Sequence, residues 1–314
     1  MTAIARQRGV ALITAIILVA IAAVLATAIG YASAMSARRA STLFGSNQAF
    51  LAAEGAEAMA AYVLRNTQAP FSLSQPWAQA YGPFELTDGV TLEYAQLEDE
   101  QSKFNVNNLA PVTGPDNPNA LQAFTQLLQL IGLEPKWAPI LADWINNNPN
   151  PTTSDGAGDS VYLSQAPPYR KASTAITSIS ELMALPGFGR ARYDRLAPYI
   201  TALPPGTNIN VCTASGPVLD AIAGKTEYSN DAAAFANERQ LNNGCFPSLQ
   251  VFTSTLAGDP SAAQLASTLV SNTTQYFRLR TVITIGTARF TLYSLLFVDQ
   301  SHLARPILRT FGTE

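Results

Sequence analysis

The stretch Val10-Ala-Leu-Ile-Thr-Ala-Ile-Ile-Leu-Val-Ala-Ile-Ala-Ala-Val-Leu-Ala-Thr-Ala-Ile-Gly-Tyr31 decides the fold. No charged side chain occurs from residue 9 to residue 37, and the run begins directly after Arg6-Gln7-Arg8-Gly9. About 20 apolar residues cross a bilayer core as a helix, so this segment is long enough to span. Arginines precede it and Arg38-Arg39 follow it, so charge alone orients it poorly. Residues 38–66 continue the helical character: Ala-rich, proline-free, with Leu43, Phe44, Phe50, Leu51, Met59, Tyr62 and Val63. Phe50, Met59, Tyr62 and Val63 sit near helical spacing. Gly45 and Gly55 weaken the pattern without ending it, and Pro70 stands just past its end. From Val10 to Asn66 the predicted helix is roughly 85 Å long. Its first half is apolar all round and its second half is amphipathic, which suits a lipid-embedded half continuing into one packed on a globular head.

Three readings of the run remain open at this point. One is a discarded secretory signal, for which Ala-Thr-Ala (26–28) and Ala-Ser-Ala (32–34) offer cleavage sites. Another is a plain membrane anchor. The third is a signal cut between Gly9 and Val10, which leaves the run on the mature protein. Arg-Gln-Arg-Gly9 followed by Val10-Ala-Leu-Ile-Thr14 resembles the leader of prepilin-like proteins, and the helical continuation favours this third reading.

Composition narrows the function classes. A chain of 314 residues makes one large domain or two small ones. With 13% charged residues and a net charge of −3 there is no basic field for nucleic acid and no acidic tail. His302 is the single histidine, so the many serines lack a base, and Glu98-Asp-Glu100 reads as a solvated or capping cluster; no enzyme is expected. Cys212 and Cys245 are the only cysteines; the even count and an oxidising extracytoplasmic setting favour a disulfide, and the absence of CxxC spacing argues against zinc.

Beyond the helix, residues 84–86 and 90–97 read as strands, although Val90, Leu92 and Tyr94 fall out of phase with Ala95 and Leu97. Helices are expected around 117–131, 135–147, 178–184 and 189–199. Tyr276–Ile285 and Ala288–Val298 alternate on either side of Gly286 and predict a β-hairpin. Strands at both ends with helices between them make an α+β head carrying a helical insertion. Within it, Leu185-Pro-Gly-Phe-Gly189 looks like a helix-hairpin-helix turn, with Arg190, Arg192 and Arg195 close by. Asn208-Ile-Asn-Val-Cys-Thr-Ala-Ser-Gly-Pro217 resembles the start of a second such unit, with Thr213 or Ser215 as cap and Pro217 in the first turn. A membrane-anchored DNA-binding protein is therefore one alternative function.

The pieces Arg8-Gly9-Val10-Ala-Leu-Ile13, Asp99-Glu-Gln-Ser-Lys-Phe-Asn-Val-Asn-Asn-Leu109, Leu141-Ala-Asp-Trp-Ile145, Ala166-Pro-Pro-Tyr-Arg170, Ser180-Glu-Leu182 and Ile209-Asn-Val-Cys-Thr-Ala214 run in order along nearly the whole chain. Together they resemble the large, GspK-type minor pseudopilins of bacterial type II secretion systems. The resemblance implies a leader peptide (1–9), an N-terminal helix (10–66, membrane half about 10–34), a pilin-like α/β head (67–110 and 205–314), and an inserted all-helical domain (111–204). It implies Gly9 and Val10 as the site of prepilin peptidase cleavage and N-methylation. It also implies a single-pass inner-membrane protein with a periplasmic head. Its partners would be other minor pseudopilins, the major pseudopilin, the inner-membrane secretion platform and exoprotein cargo, with a type IV minor pilin as a further alternative. Pilin-like proteins usually carry Glu as the fifth mature residue; here that position is Thr14, which suits a subunit with none ahead of it. Some members bind calcium, which implies Asp143, Asp155 and Asp159 as Ca2+ ligands, although Asn146, Asn148 and Gly158 stand where acids are common.

Overall fold

A computed structural model describes residues 8–87 and 89–312; the leader positions 1–7 lie outside the described residues. The apolar run and its continuation form one helix, α1 (Arg8–Arg65). Its second half lies on an antiparallel sheet of β1 (Phe84–Thr87), β2 (Val90–Asp99), β7 (Tyr276–Ile285), β8 (Ala288–Val298) and β9 (Ala304–Phe311), hydrogen-bonded in that order. Between β2 and β7 the chain leaves the sheet. There it forms β3 (Phe104–Asn105), α2 (Pro118–Leu130), α3 (Trp137–Ile145), α4 (Asp159–Leu163), α5 (Gly189–Leu196), β4 (Ile200–Thr201), β5 (Ile209–Asn210), α6 (Gly216–Ala223), α7 (Ala232–Leu241), α8 (Leu249–Thr255), α9 (Pro260–Leu269) and β6 (Val270–Ser271). The pilin-like α+β architecture with a helical insertion is therefore present.

The two parts have separate cores. One joins Ala49, Ala53, Ala56, Ala60 and Leu64 of α1 to Trp77, Leu92, Leu97, Phe277, Leu279 and Leu296. The other runs from Phe104 to Val270 and includes Phe124, Leu141, Leu219, Phe252 and Leu265. The boundary expected at residue 205 is thus corrected. Helices α6, α8 and α9 bury apolar residues in the second core, Phe235 of α7 packs against it, and the sheet resumes only at Tyr276.

The face of α1 that packs on the sheet is lined by small residues. Alanines at 49, 53, 56 and 60 let the helix lie close to the sheet. Met59 is 58% exposed and Tyr62 71% exposed, with Phe44 and Leu51 beside them on the outer face. At 100° per residue the two stripes are centred on nearly opposite sides of the helix. The large residues give the strong pattern in the sequence, but the small ones decide how near a helix can approach a sheet.

The imperfect alternation of β2 has a local cause. Leu92 pairs with Ile283 and Tyr94 with Val282, so Glu93 is an extra residue, a β-bulge. A bulge shifts the phase by one, which brings Ala95 and Leu97 onto the same buried side as Val90 and Leu92. The hairpin of β7 and β8 keeps continuous register from Tyr276–Phe297 to Ile285–Ala288.

Ion pairs from Arg309 cross the helix–sheet interface to Glu57 and, at 3.4 Å, to Glu54. Glu57 is buried on α1 and receives Arg309 of β9 in a fork, Nε to Oε1 at 2.9 Å and Nη2 to Oε2 at 2.6 Å, with the Ser294 hydroxyl also donating to Oε1. Removing one partner of such a pair strands the other charge. Arg309 is about one-third exposed, which discounts the cost. Arg309→Met is expected to lower the unfolding free energy by about 2–3 kcal/mol, and Glu57→Gln added to it to recover part of that loss, read by denaturant unfolding of the full chain in micelles.

Candidate functional site

Three places carry the residues singled out in the sequence: the exposed part of α1, the joint between the cores, and the loop that follows α3. Residues 10–34 of α1 are exposed throughout, and by length and composition this stretch of helix can cross a membrane. Thr14 donates its hydroxyl to the carbonyls of Val10 (3.2 Å) and Ala11 (3.0 Å). A threonine in lipid is satisfied by its own helix, whereas a carboxylate there requires an external partner. Below the membrane-length half, Phe44, Leu51, Met59 and Tyr62 form an exposed apolar stripe on the side of α1 away from the sheet.

The joint is built from the polar stretch that follows β2. Asp99 is buried; its Oδ2 accepts from Thr213 Oγ1 (2.6 Å), Thr274 Oγ1 (2.8 Å) and Asn210 Nδ2 (3.0 Å), and its Oδ1 from Gln101 N (2.8 Å). Gln101 spans to Asn208 O (2.7 Å) and Gln275 N (2.6 Å). Asn105 bonds Leu203 N and Pro204 O, Asn107 bonds both backbone atoms of Ile176 and Leu203 O, and Asn108 bonds Gly206 N and Thr207 O. Side-chain amides thereby satisfy the backbone of irregular segments as far as 174 residues away in sequence, where no ladder exists to do so. Glu100 is held below the usual carboxylate range: burial pushes it up, but Lys103 and Arg278 and a bond from Thr201 outweigh that. Asp99 faces neutral donors instead, and burial raises it to about 6 against the bonds of Thr213, Thr274, Asn210 and Gln101.

The disulfide Cys212–Cys245 ties the end of β5 to the segment after α7, at a sequence separation of 33. Closing a loop of that length stabilises by about 3–4 kcal/mol in the chain-entropy account. Ser215 is the N-cap residue of α6 but makes no capping bond, Thr213 turns to Asp99, and Pro217 occupies the first turn of α6.

At the loop, Asp143 is fully buried at the end of α3. Its carboxylate is filled by Thr152 N (3.0 Å), Thr152 Oγ1 (2.8 Å) and Ala157 N (3.0 Å). Asp155 is exposed on the loop, and Asp159 opens α4. Among the described residues no three His, Cys, Asp or Glu side chains converge as a metal site. The positions between them do not fit one either. Asn146 Oδ1 accepts from Asn148 N (2.9 Å) and Asn148 Oδ1 from Asn150 N (3.1 Å). A Cβ added at Gly158 would sit 2.6 Å from Pro149 O, so this loop has no room for an acid there. Of the three acids, Asp143 has both carboxylate oxygens taken up by Thr152 and the Ala157 amide, so its carboxylate serves the fold of the loop.

The helix-hairpin-helix-like turn places Gly187 and Gly189 at positive φ before α5. Its arginines are engaged within the fold. Arg192 grips Glu134 (Nη2 to Oε1 2.6 Å, Nε to Oε2 2.9 Å) and holds that carboxyl well below the usual range, while Arg190 pairs with Asp194 at 2.8 Å and Arg195 reaches Gly132 O.

The raised Asp99 gives a signed pH effect. Its ordinary value is 3.8 and its folded value about 6, so the protonated form is favoured by folding. Its contribution to stability is fully present below about pH 4 and lost as pH rises through about 6. Between those limits, the stability of the wild type relative to Asp99→Asn should fall by about 2–3 kcal/mol, measured by urea unfolding across pH.

Comparison with known proteins agrees with this geometry. A family model described as type II secretion system protein K matches residues 102–205, and one described as PilX N-terminal matches residues 8–69. Type II secretion system protein K of Pseudomonas aeruginosa is 32% identical over 323 residues, covering 98% of this chain and 93% of the relative. The protein of the same name from Klebsiella pneumoniae is 36% identical, covering 66% of this chain and 67% of that one. The Pectobacterium carotovorum protein of that name is 29% identical over 94% and 93%. A chain in the crystal structure of the GspK-GspI-GspJ complex from the enterotoxigenic Escherichia coli type 2 secretion system shares the fold. It superposes with a TM-score of 0.73 at 24% identity, covering 88% of this chain and all of that one. On this coverage and identity, the chain belongs to the type II secretion system protein K family and is a minor pseudopilin.

Proposed function

We propose that this minor pseudopilin sits at the tip of a type II secretion pseudopilus and starts its assembly, serving the export of folded proteins across the outer membrane. The observation that carries the reading is Thr14. Its hydroxyl is closed within its own helix, so the subunit presents no membrane carboxylate that would need a subunit ahead of it. The exposed stripe of Phe44, Leu51, Met59 and Tyr62 offers a place for helices of the smaller minor pseudopilins, in keeping with the solved complex that joins GspK with GspI and GspJ. The work is mechanical. The membrane helix holds the subunit in the inner membrane with its head in the periplasm until partners gather. Apolar helix packing then lifts the complex from the bilayer, the major pseudopilin adds below, and the bulky head blocks growth on its far side.

Processing by prepilin peptidase between Gly9 and Val10, with N-methylation of Val10, belongs to the same reading, as do contacts with the inner-membrane platform. No observation favours DNA binding, since Arg190, Arg192 and Arg195 are engaged with Asp194, Glu134 and Gly132.

Two measurements test the proposal. Mass spectrometry of the mature protein should find Val10 as the first residue; a start between residues 29 and 35 would make it an ordinary secreted protein. Co-expression with the two smaller minor pseudopilins should yield a stable ternary complex that Leu51→Glu together with Met59→Glu weakens at least tenfold. Failure of the wild type to bind them would overturn the assignment to the tip.

A further inference from the structure

We infer that the loop after α3 carries its own tethered cation: the Lys171 ammonium occupies the place in which a metal ion would otherwise organise this loop, so this chain holds its helical domain without calcium. Lys171 Nζ donates to three backbone carbonyls, those of Asp143 (2.8 Å), Asn146 (2.6 Å) and Asn148. Three oxygens from one short segment converging on one cation is the arrangement that backbone carbonyls adopt around a hard ion. An ammonium has three donors and no acceptor, so one lysine can meet all three.

Burial disfavours the Lys171 ammonium and lowers it from its ordinary value, and three acids oppose that effect. Lys171 is only 5% exposed, and Asp116, Asp143 and Asp159 all act on it electrostatically. Asp116 Oδ1 and Asp159 Oδ1 are buried without a hydrogen bond, which leaves the pocket anionic around the ammonium. Buried charge is tolerated when its donors are bonded, and the Lys171 ammonium is bonded to three carbonyls. The neutral Asn146 and Asn148 and the side-chain-free Gly158 then have a common rationale. With the loop carbonyls already gathered by a tethered ammonium, these positions need not supply carboxylates to a divalent ion. The Asn side chains are released to bond Asn148 N, Asn150 N and Gly114 O inside the loop.

Placement explains why one residue can do this. Ser173 N donates to Trp144 O at 3.0 Å, fixing the segment of Lys171 alongside the C-terminal end of α3. The carbonyls at a helix end carry partial negative charge and attract a cation. Lys171 bonds Asp143 O within α3 and Asn146 O at its C-cap, so it also closes the helix.

The test uses the full chain in detergent micelles, followed by tryptophan fluorescence, since Trp144 lies in α3 next to the loop. The wild-type unfolding midpoint should be the same in millimolar CaCl2 and in excess EDTA, and titration calorimetry with CaCl2 should show no saturable binding. A calcium-dependent rise in midpoint, or a saturable isotherm, overturns the inference. Lys171→Met keeps the stem and removes the charge; its midpoint in EDTA should fall by roughly 5–10 °C. If Lys171→Met is as stable as the wild type, the ammonium does not hold the loop and the inference fails. Limited proteolysis keeps the question decidable if the variant folds poorly. Cleavage of wild-type residues 146–158 should be equally slow with and without EDTA, and EDTA-induced cutting there would equally overturn the inference.

Discussion

The structure depends on how a chain that leaves a sheet for nearly two hundred residues satisfies the backbone of its irregular segments. At the joint the answer is a strip of side chains. Asp99, Gln101, Asn105, Asn107 and Asn108 reach residues 176, 203–208 and 274–275, and Asn210 reaches back to Phe71 O. Each bond is modest on its own, but an unmet buried amide is costly, so the set fixes how the two cores meet. Parallel pairings of only two residues, β3 with β4 and β5 with β6, finish the seam.

The same economy recurs away from the joint. Asp143 clasps the loop at Thr152 and Ala157, and Asp220 clasps another through the amides of Glu227, Tyr228 and Ser229. Cations do the complementary work on carbonyls. Lys171 gathers three of them, and Arg239, pulled down to about 10 by burial, bonds Phe246 O and Ala214 O while lying over the ring of Phe235. Loops in this domain are held by single buried charges acting on backbone, with the disulfide adding one covalent tie among them.

What the sequence disclosed follows from which forces leave a periodic trace. The β7–β8 hairpin was legible because Phe277, Leu279, Thr281 and Ile283 alternate against a turn glycine. The long α1 was legible from composition alone. Its packing face leaves little trace in the sequence, since Met59 and Tyr62 are conspicuous while the alanines that touch the sheet are not. Helices α7 to α9 went unread: α7 buries none of its residues, and α9 packs through Ala262, Leu265, Ala266 and Leu269 amid serines and alanines. Strand β9 was missed because it is an edge with a burial pattern that is mostly exposed. At the candidate sites the acids at 143, 155 and 159 were visible, but a ring of carbonyls around Lys171 has no side-chain signature. Only coordinates reveal it.

Because the alanine stripe and the Phe44–Tyr62 stripe share one unbroken helix, the rotational position of the head is set by helical phase. A partner helix seated on the outer stripe faces directly away from the sheet, and the heavy helical domain is then carried to a fixed azimuth about any bundle that α1 joins. One residue inserted between Phe44 and Ala49 would turn the head, together with Leu51, Met59 and Tyr62, by about 100° relative to Phe44 and the membrane-length half without disturbing either core. The length of α1 between its lipid-facing end and Ala49 therefore acts as an angular gauge, and the spacing of small residues along it encodes orientation as much as it encodes packing.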